Sequence, residues 1–242
     1  MARDEAVIFG LRAALAVGEH RPEAILRVFH TRDRRKEIGP LLSVTANQRR
    51  PYREVPEDEL RRIAGSLHHE GVVVIAEPLP LRSVPAMLDA LPDRGVLLAL
   101  DGVQNPHNQG AILRSAAWFD AFAVLLDESG PGLNPAAVRV AQGGAEVVPC
   151  VAAPDLPAVL DALARRGVTL IGADQHAKRG LFDQRLPELV CLVLGSEGEG
   201  LHPEVRRQCH QLIRIPGTAA VESLNVAVSA GILLAAAFAD QA

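Results

Sequence analysis

Leu189-Val-Cys-Leu-Val-Leu194 runs straight into Gly195-Ser-Glu-Gly-Glu-Gly200. The first half is apolar at every position and of strand length. A strand without apolar/polar alternation is covered on both faces, as in a parallel sheet under helices. The second half is a polar loop at the carboxyl end of that strand, where open α/β sheets bind ligands. Its glycines are spaced G-x-x-G-x-G, which differs from the dinucleotide fingerprint, and no Gly-Lys-Ser/Thr follows to make a P-loop. Either it is an ordinary turn or a place where the backbone approaches a ligand, with glycines removing obstruction. Glu197 and Glu199 disfavour a phosphate and suit a cationic or adenosine-like ligand.

Working outward, the same texture repeats. Val96–Leu100, Phe122–Leu126, Glu146–Val151, Val168–Ala173 and Gln211–Ile215 read as strands. Helical patterns at Ala111–Phe119, Asn134–Gln142 and Leu156–Arg166 separate several of them. This predicts an α/β domain with a parallel sheet. Two more polar clusters follow strand ends. One is Asn105-Pro-His-Asn-Gln-Gly110, and the other is Glu222-Ser-Leu-Asn225, read as opening a last helix whose residues Val226–Ala239 carry no charge. Free backbone N–H groups at a helix N-terminus favour ligand binding. The three clusters suggest one composite site. Arg114, on a mostly apolar helix, is either paired with a core carboxylate such as Glu197 or functional. His107 is a weak candidate base.

Before this domain the texture differs. Pro78, Pro80, Pro85, Pro92 and Gly95 mark a linker over residues 78–95, with a short helix at Val84–Ala90. Residues 1–77 read as a small α/β module, with strands at Ile25–Phe29 and Val72–Ala76 and helices at Gly10–Val17, Asp33–Ala46 and Glu57–Gly65. Net charge is −4, which argues against a general nucleic-acid binder. Residues 1–93 are neutral, with 14 basic and 14 acidic residues, but the basic ones cluster: Arg32, Arg34, Arg35 and Lys36, then Arg49, Arg50 and Arg53. Such clusters either meet phosphates or form a solvated face. No apolar run reaches the roughly 18 residues of a membrane span, and the charged start Met-Ala-Arg-Asp-Glu is unlike a signal peptide. Cys150, Cys191 and Cys209 lack metal-ligand spacing and read as buried free thiols in a reducing cytoplasm.

Together the clusters resemble the SpoU (TrmH-like) branch of the SPOUT RNA methyltransferases. The first motif matches Asn108-Gln-Gly-Ala-Ile-Leu-Arg114-Ser-Ala, and the second matches Leu194-Gly-Ser-Glu197-Gly-Glu-Gly-Leu201. The third matches Ile215-Pro216 and then Glu222-Ser223-Leu224-Asn225-Val226. Order and spacing agree over residues 96–239, expected as a methyltransferase domain at 96–242. Val7-Ile-Phe-Gly10 and His68-His69-Glu70-Gly71 are similar to the ends of the family's small substrate-binding domain, which is like ribosomal protein L30. Within the family the chain is most similar to the YfiF-type tRNA/rRNA methyltransferases.

The resemblance implies a deep trefoil knot in the parallel-sheet domain, S-adenosyl-L-methionine as cofactor, an obligate homodimer, no metal, and RNA as substrate. It implies cofactor contacts at Ala173, Gly195, Gly198, Ile215, Leu224 and Asn225. Arg114 takes the place of the catalytic arginine, with Asn108, Glu197, Ser223 and Asn225 as supporting catalytic residues. The expected reaction is methylation of a ribose 2′-hydroxyl of tRNA or rRNA in the cytoplasm. The family's proposal has Arg114 act as a base with help from the RNA phosphate. Arginine stays protonated, so a phosphate clamp that orients the hydroxyl is the chemically simpler role. Arg32, Arg34, Arg35, Lys36, Arg49 and Arg50 are the expected RNA contacts. The alternative is an RNA-binding or assembly factor that keeps the fold without activity. Two positions depart from the family pattern: Ser196 stands where Asn is common, and Ala219 replaces a glycine of the third motif, which would tighten the cofactor loop if that position needs a positive φ.

Overall fold

A computed structural model of the chain describes residues 5–127, 133–218 and 220–241, which form two compact units. Ala219 lies outside the described residues. One unit takes the chain up to Pro80 and a return segment that ends at Val147; the other takes the chain from Leu81 and again from Val148.

The first unit opens with β1 (Ala6–Phe9), α1 (Leu11–His20), β2 (Ile25–His30), α2 (Gly39–Asn47), β3 (Tyr52–Glu54), α3 (Glu57–Ala64) and β4 (Val72–Ala76). Its sheet runs β1-β4-β2-β3. Every residue of β4 is buried, and Phe9, Val55, Leu60, Val73 and Ile75 make one core layer. The helix expected over 33–46 does not form at that length. Arg32–Arg34 is a short 3₁₀ turn, and α2 begins only at Gly39 with Pro40 in its first turn. Proline removes a donor and clashes inside a helix, so the helix starts where it does.

The second unit opens with α4 (Val84–Asp89), β5 (Gly95–Asp101), α5 (Pro106–Trp118) and β6 (Ala123–Leu126). The chain then supplies α6 (Pro135–Ala141) and α7 (Gly144–Val147) to the first unit. There Arg21 grips the buried Glu146 carboxylate twice, Nε to Oε2 at 3.0 Å and Nη2 to Oε1 at 3.1 Å. The strand expected from Glu146 begins only at Cys150, after Pro149, and Glu146 itself is helical. The rest is β7 (Cys150–Ala152), α8 (Leu156–Arg165), β8 (Thr169–Ala173), β9 (Arg179–Gly180), β10 (Leu189–Gly195), α9 (Pro203–Gln208), β11 (Gln211–Arg214) and α10 (Val226–Gln241).

The described strands of this unit form a seven-stranded sheet ordered β7-β6-β5-β10-β8-β11-β9, with every neighbouring pair parallel. The apolar run at 189–194 is its centre: β10 lies between β5 and β8, in register from Leu189 opposite Gly95 to Gly195 opposite Asp101. Leu97, Leu125, Leu160, Leu170, Cys191 and Val193 pack one face. Each such buried aliphatic side chain contributes roughly 1.5–3 kcal/mol. Burial also pushes the Cys209 thiol up to about 11 and that of Cys191 higher still, so both stay protonated thiols. No helix of the described residues is long and apolar enough to cross a membrane.

Candidate active site

Asn225 ties the three polar clusters into one node. Its Nδ2 donates to Asn108 Oδ1 at 3.0 Å and to Glu197 Oε1 at 2.5 Å. Its Oδ1 accepts from the backbone N–H groups of Ala227 at 2.9 Å and Val228 at 3.3 Å, which caps α10. Glu197 Oε1 also accepts from Val226 N at 3.3 Å. Asn225 therefore precedes α10 as its cap, and Glu222–Leu224 lie outside that helix. Asn108 belongs to the first turn of α5 rather than to a loop. Asn105 caps that helix, accepting from His107 N at 2.9 Å, and Pro106 takes its first position. Asn108 is buried, which requires that its polar atoms be satisfied.

The expected cofactor positions lie along one edge of the sheet. β10, β8 and β11 are adjacent, and their carboxyl ends carry Gly195, Ala173 and Ile215. At Gly195 the chain packs against its own loop: a Cβ here would overlap the Gly200 carbonyl. That closeness shapes the loop, in which Gly200 N donates to Ser196 O at 3.0 Å. Gly198 faces open space. Leu224 is 43% exposed. Among the described residues, no cluster of three or more His, Cys, Asp or Glu could hold a metal ion.

The Arg114 side chain is exposed on α5 and makes no hydrogen bond or ion pair among the described residues. Glu197 is engaged by Asn225 instead, so the structural pairing of Arg114 with Glu197 is not what forms. Ser223 is exposed in the segment before α10. In the first unit, Arg34 pairs with Glu37 at 2.8 Å and Asp33 at 3.7 Å, and Arg35 comes within 3.9 Å of Glu54. Arg32, Lys36, Arg49 and Arg50 have no ion pair among the described residues. Arg61 and Arg62 escaped the sequence reading. They line an open concavity of about 490 Å³ with Asp58, Gly65, Ser66 and Leu67. Gln109 was also missed; it is buried and donates to Val103 O at 2.9 Å, bracing the loop before α5.

The sequence profile of the SpoU rRNA methylase family matches residues 95–235. The chain belongs to that family. A second profile, RNA 2′-O ribose methyltransferase substrate binding, matches residues 7–81. This SpoU protein is an RNA methyltransferase acting on ribose 2′-hydroxyls. It is 36% identical over 233 residues to the 23S rRNA (guanosine-2′-O-)-methyltransferase RlmB of Ralstonia nicotianae, covering 94% of this chain and 93% of that relative. It is 33% identical over 232 residues to the uncharacterized tRNA/rRNA methyltransferase YfiF of Escherichia coli O157:H7, covering 96% of this chain and 67% of the relative. In fold it is similar to the SpoU methyltransferase AviRb of Streptomyces viridochromogenes, solved with AdoMet. The TM-score is 0.82 at 23% identity, over 98% of this chain and 90% of that one.

Proposed function

We propose that the Asn108–Glu197–Asn225 node is the fixed part of the methyl-transfer centre and that Arg114 is its substrate-facing part. The observation that carries this is the double donation by Asn225, which joins residues far apart in sequence at the edge where the cofactor positions lie. Bound S-adenosylmethionine supplies a methyl group already activated on a sulfonium, so the protein must supply alignment and a ready nucleophile. Ala173, Gly195, Gly198, Ile215, Leu224 and Asn225 hold the cofactor. Glu197 holds Asn225 and the first amide of α10 in place. Ser223 and Asn108 support the pocket wall. The Arg114 guanidinium, permanently charged and with five donors, clamps an RNA phosphate and orients the 2′-hydroxyl toward the methyl group.

Residues 1–77 dock the RNA, with Arg32, Arg34, Arg35, Lys36, Arg49 and Arg50 facing phosphates; residues 78–95 link them to the methyltransferase domain at 96–242. The substrate is ribosomal RNA at a guanosine, a reading supported by the RlmB relatives. The Gly195–Gly200 loop and the 215–225 segment meet through Glu197 and Asn225, which supports a knotted arrangement of the chain there. A homodimer forms over α5 and α10, which expose Trp118 at 82%, Val228 at 51% and Phe238 at 48%. The enzyme works in the cytoplasm, where its RNA is. Mapping 2′-O-methyl positions in total RNA from cells with and without the protein, alongside methyl transfer by the pure protein, tests the substrate. One ribosomal guanosine should lose its mark. A lost mark confined to tRNA would overturn the ribosomal assignment.

A further inference from the structure

Helix α9 is strapped to the sheet at two points. Asp101, the last residue of β5, is buried, and its carboxylate accepts twice from His202: backbone N to Oδ2 at 2.7 Å and ring Nδ1 to Oδ1 at 2.9 Å. One turn later Arg206 pairs with Asp174, just beyond β8. Asp174 is partly buried, which alone would raise its pKa. The His176 amide and Arg206 outweigh that and hold it below the usual carboxylate value. β5 and β8 are the two strands that flank β10. The Gly195–Gly200 loop leaves β10 and enters α9 at His202, so its far end is fixed by a carboxylate of the neighbouring strand. Under the ring, Gly102 sits at φ +69°, its amide donating to Asp127 Oδ2 at 2.6 Å, and a Cβ there would stand 3.6 Å from His202 Cε1. No role for Asp101 or His202 follows from the family motifs.

We infer that His202 is a positioning residue for the cofactor loop: held by Asp101, it fixes where the Gly195–Gly200 loop ends and so how that loop presents its backbone to S-adenosylmethionine. This rests on the assignment of that loop to the cofactor. Asp101, Glu199 and Asp127 are the charged groups acting on the ring, and Arg206 on the same helix is engaged by Asp174. The Asp101 hydrogen bond, then its charge, raise the His202 pKa above the ordinary histidine value. The charge-assisted strap is therefore complete below the ordinary value and weakens as pH rises through the raised one.

The test is calorimetry of S-adenosylmethionine binding to wild type, His202→Ala, His202→Asn and Gly198→Val from about pH 6 to about pH 9. His202→Ala should weaken binding about two- to fivefold at the acid end, the range a partly exposed ion pair carries, and flatten its pH dependence. His202→Asn, whose amide can still donate to Asp101, should recover most of the affinity and remain flat with pH. With saturating cofactor, kcat should hold while KM for the cofactor rises. Unchanged affinity and pH dependence in His202→Ala would overturn the inference, as would equal losses in both His202 variants accompanied by a lower kcat. Gly198→Val separates the two layers. If it binds cofactor normally, the loop assignment itself fails; if it binds weakly while His202→Ala binds normally, only the strap fails. Should His202→Ala not fold, the pH dependence of the Asn variant against wild type decides.

Discussion

Two parts of the active centre are built in opposite ways. Asn108, Glu197 and Asn225 are spent on one another, with distances of 2.5 and 3.0 Å and an amide cap besides. Arg114, on the same helix as Asn108, engages nothing among the described residues. Asn108 is buried and must be satisfied before substrate arrives, and its bond to the exposed Asn225, itself held by Glu197, rigidifies the node. A cation meant for an incoming phosphate must instead stay free. On the proposed function, the difference separates the residues that would shape the pocket from the one left free to meet RNA.

The strongest way to break this division is Arg114→Lys. Lysine keeps the charge but loses the planar fork. Turnover should fall on the order of 10³-fold, as when a transition-state donor is removed, while cofactor affinity stays unchanged. Near-normal turnover would remove Arg114 from the chemistry, and a parallel loss of cofactor binding would move it into the fixed part.

Gly195→Ala tests the fixed part at its tightest point. The added methyl has no room against the Gly200 carbonyl, so the loop must move. Overpacking of this kind costs about 1–3 kcal/mol, so cofactor affinity should drop up to a hundredfold in calorimetry, with RNA affinity intact. A variant that binds cofactor normally would show that the loop shape is not needed. Asn225→Ala should be milder, about ten- to thirtyfold in kcat/KM, from lost hydrogen bonds and a lost helix cap. A loss confined to the melting temperature would make the node structural only.

How much of this could be read beforehand follows the same division. The apolar runs at 96–100 and 189–194 disclosed a parallel sheet because buried strands need no partner to be recognised. Asn108, Glu197 and Asn225 were legible as motif positions, but their mutual bonds were not, because hydrogen-bond partners 28 and 117 residues apart leave no periodic trace. The same holds for Arg21 with Glu146 and Asp101 with His202. Other misses were readable. Pro40 announced where α2 must start, and Asn105-Pro106 announced α5, each by the ordinary rules of helix entry.

The smallest effect expected extends the comparison to the first unit, whose unpaired cations resemble Arg114 in freedom but not in place. Arg49 and Arg50 follow α2 and belong to the unit that carries none of the node. Phosphate contacts made there would position the RNA without touching the reaction, so they should act through binding alone. The double variant Arg49→Ala/Arg50→Ala should raise KM for RNA a few-fold at low salt and leave kcat unchanged. Each lost phosphate contact should lower the slope of log KM against log salt by about one. A fall in kcat with an unchanged salt slope would mean that these arginines act in the reaction like Arg114. An unchanged KM and slope would place the RNA elsewhere on this unit, with the concavity at Arg61 and Arg62 as the next surface to alter.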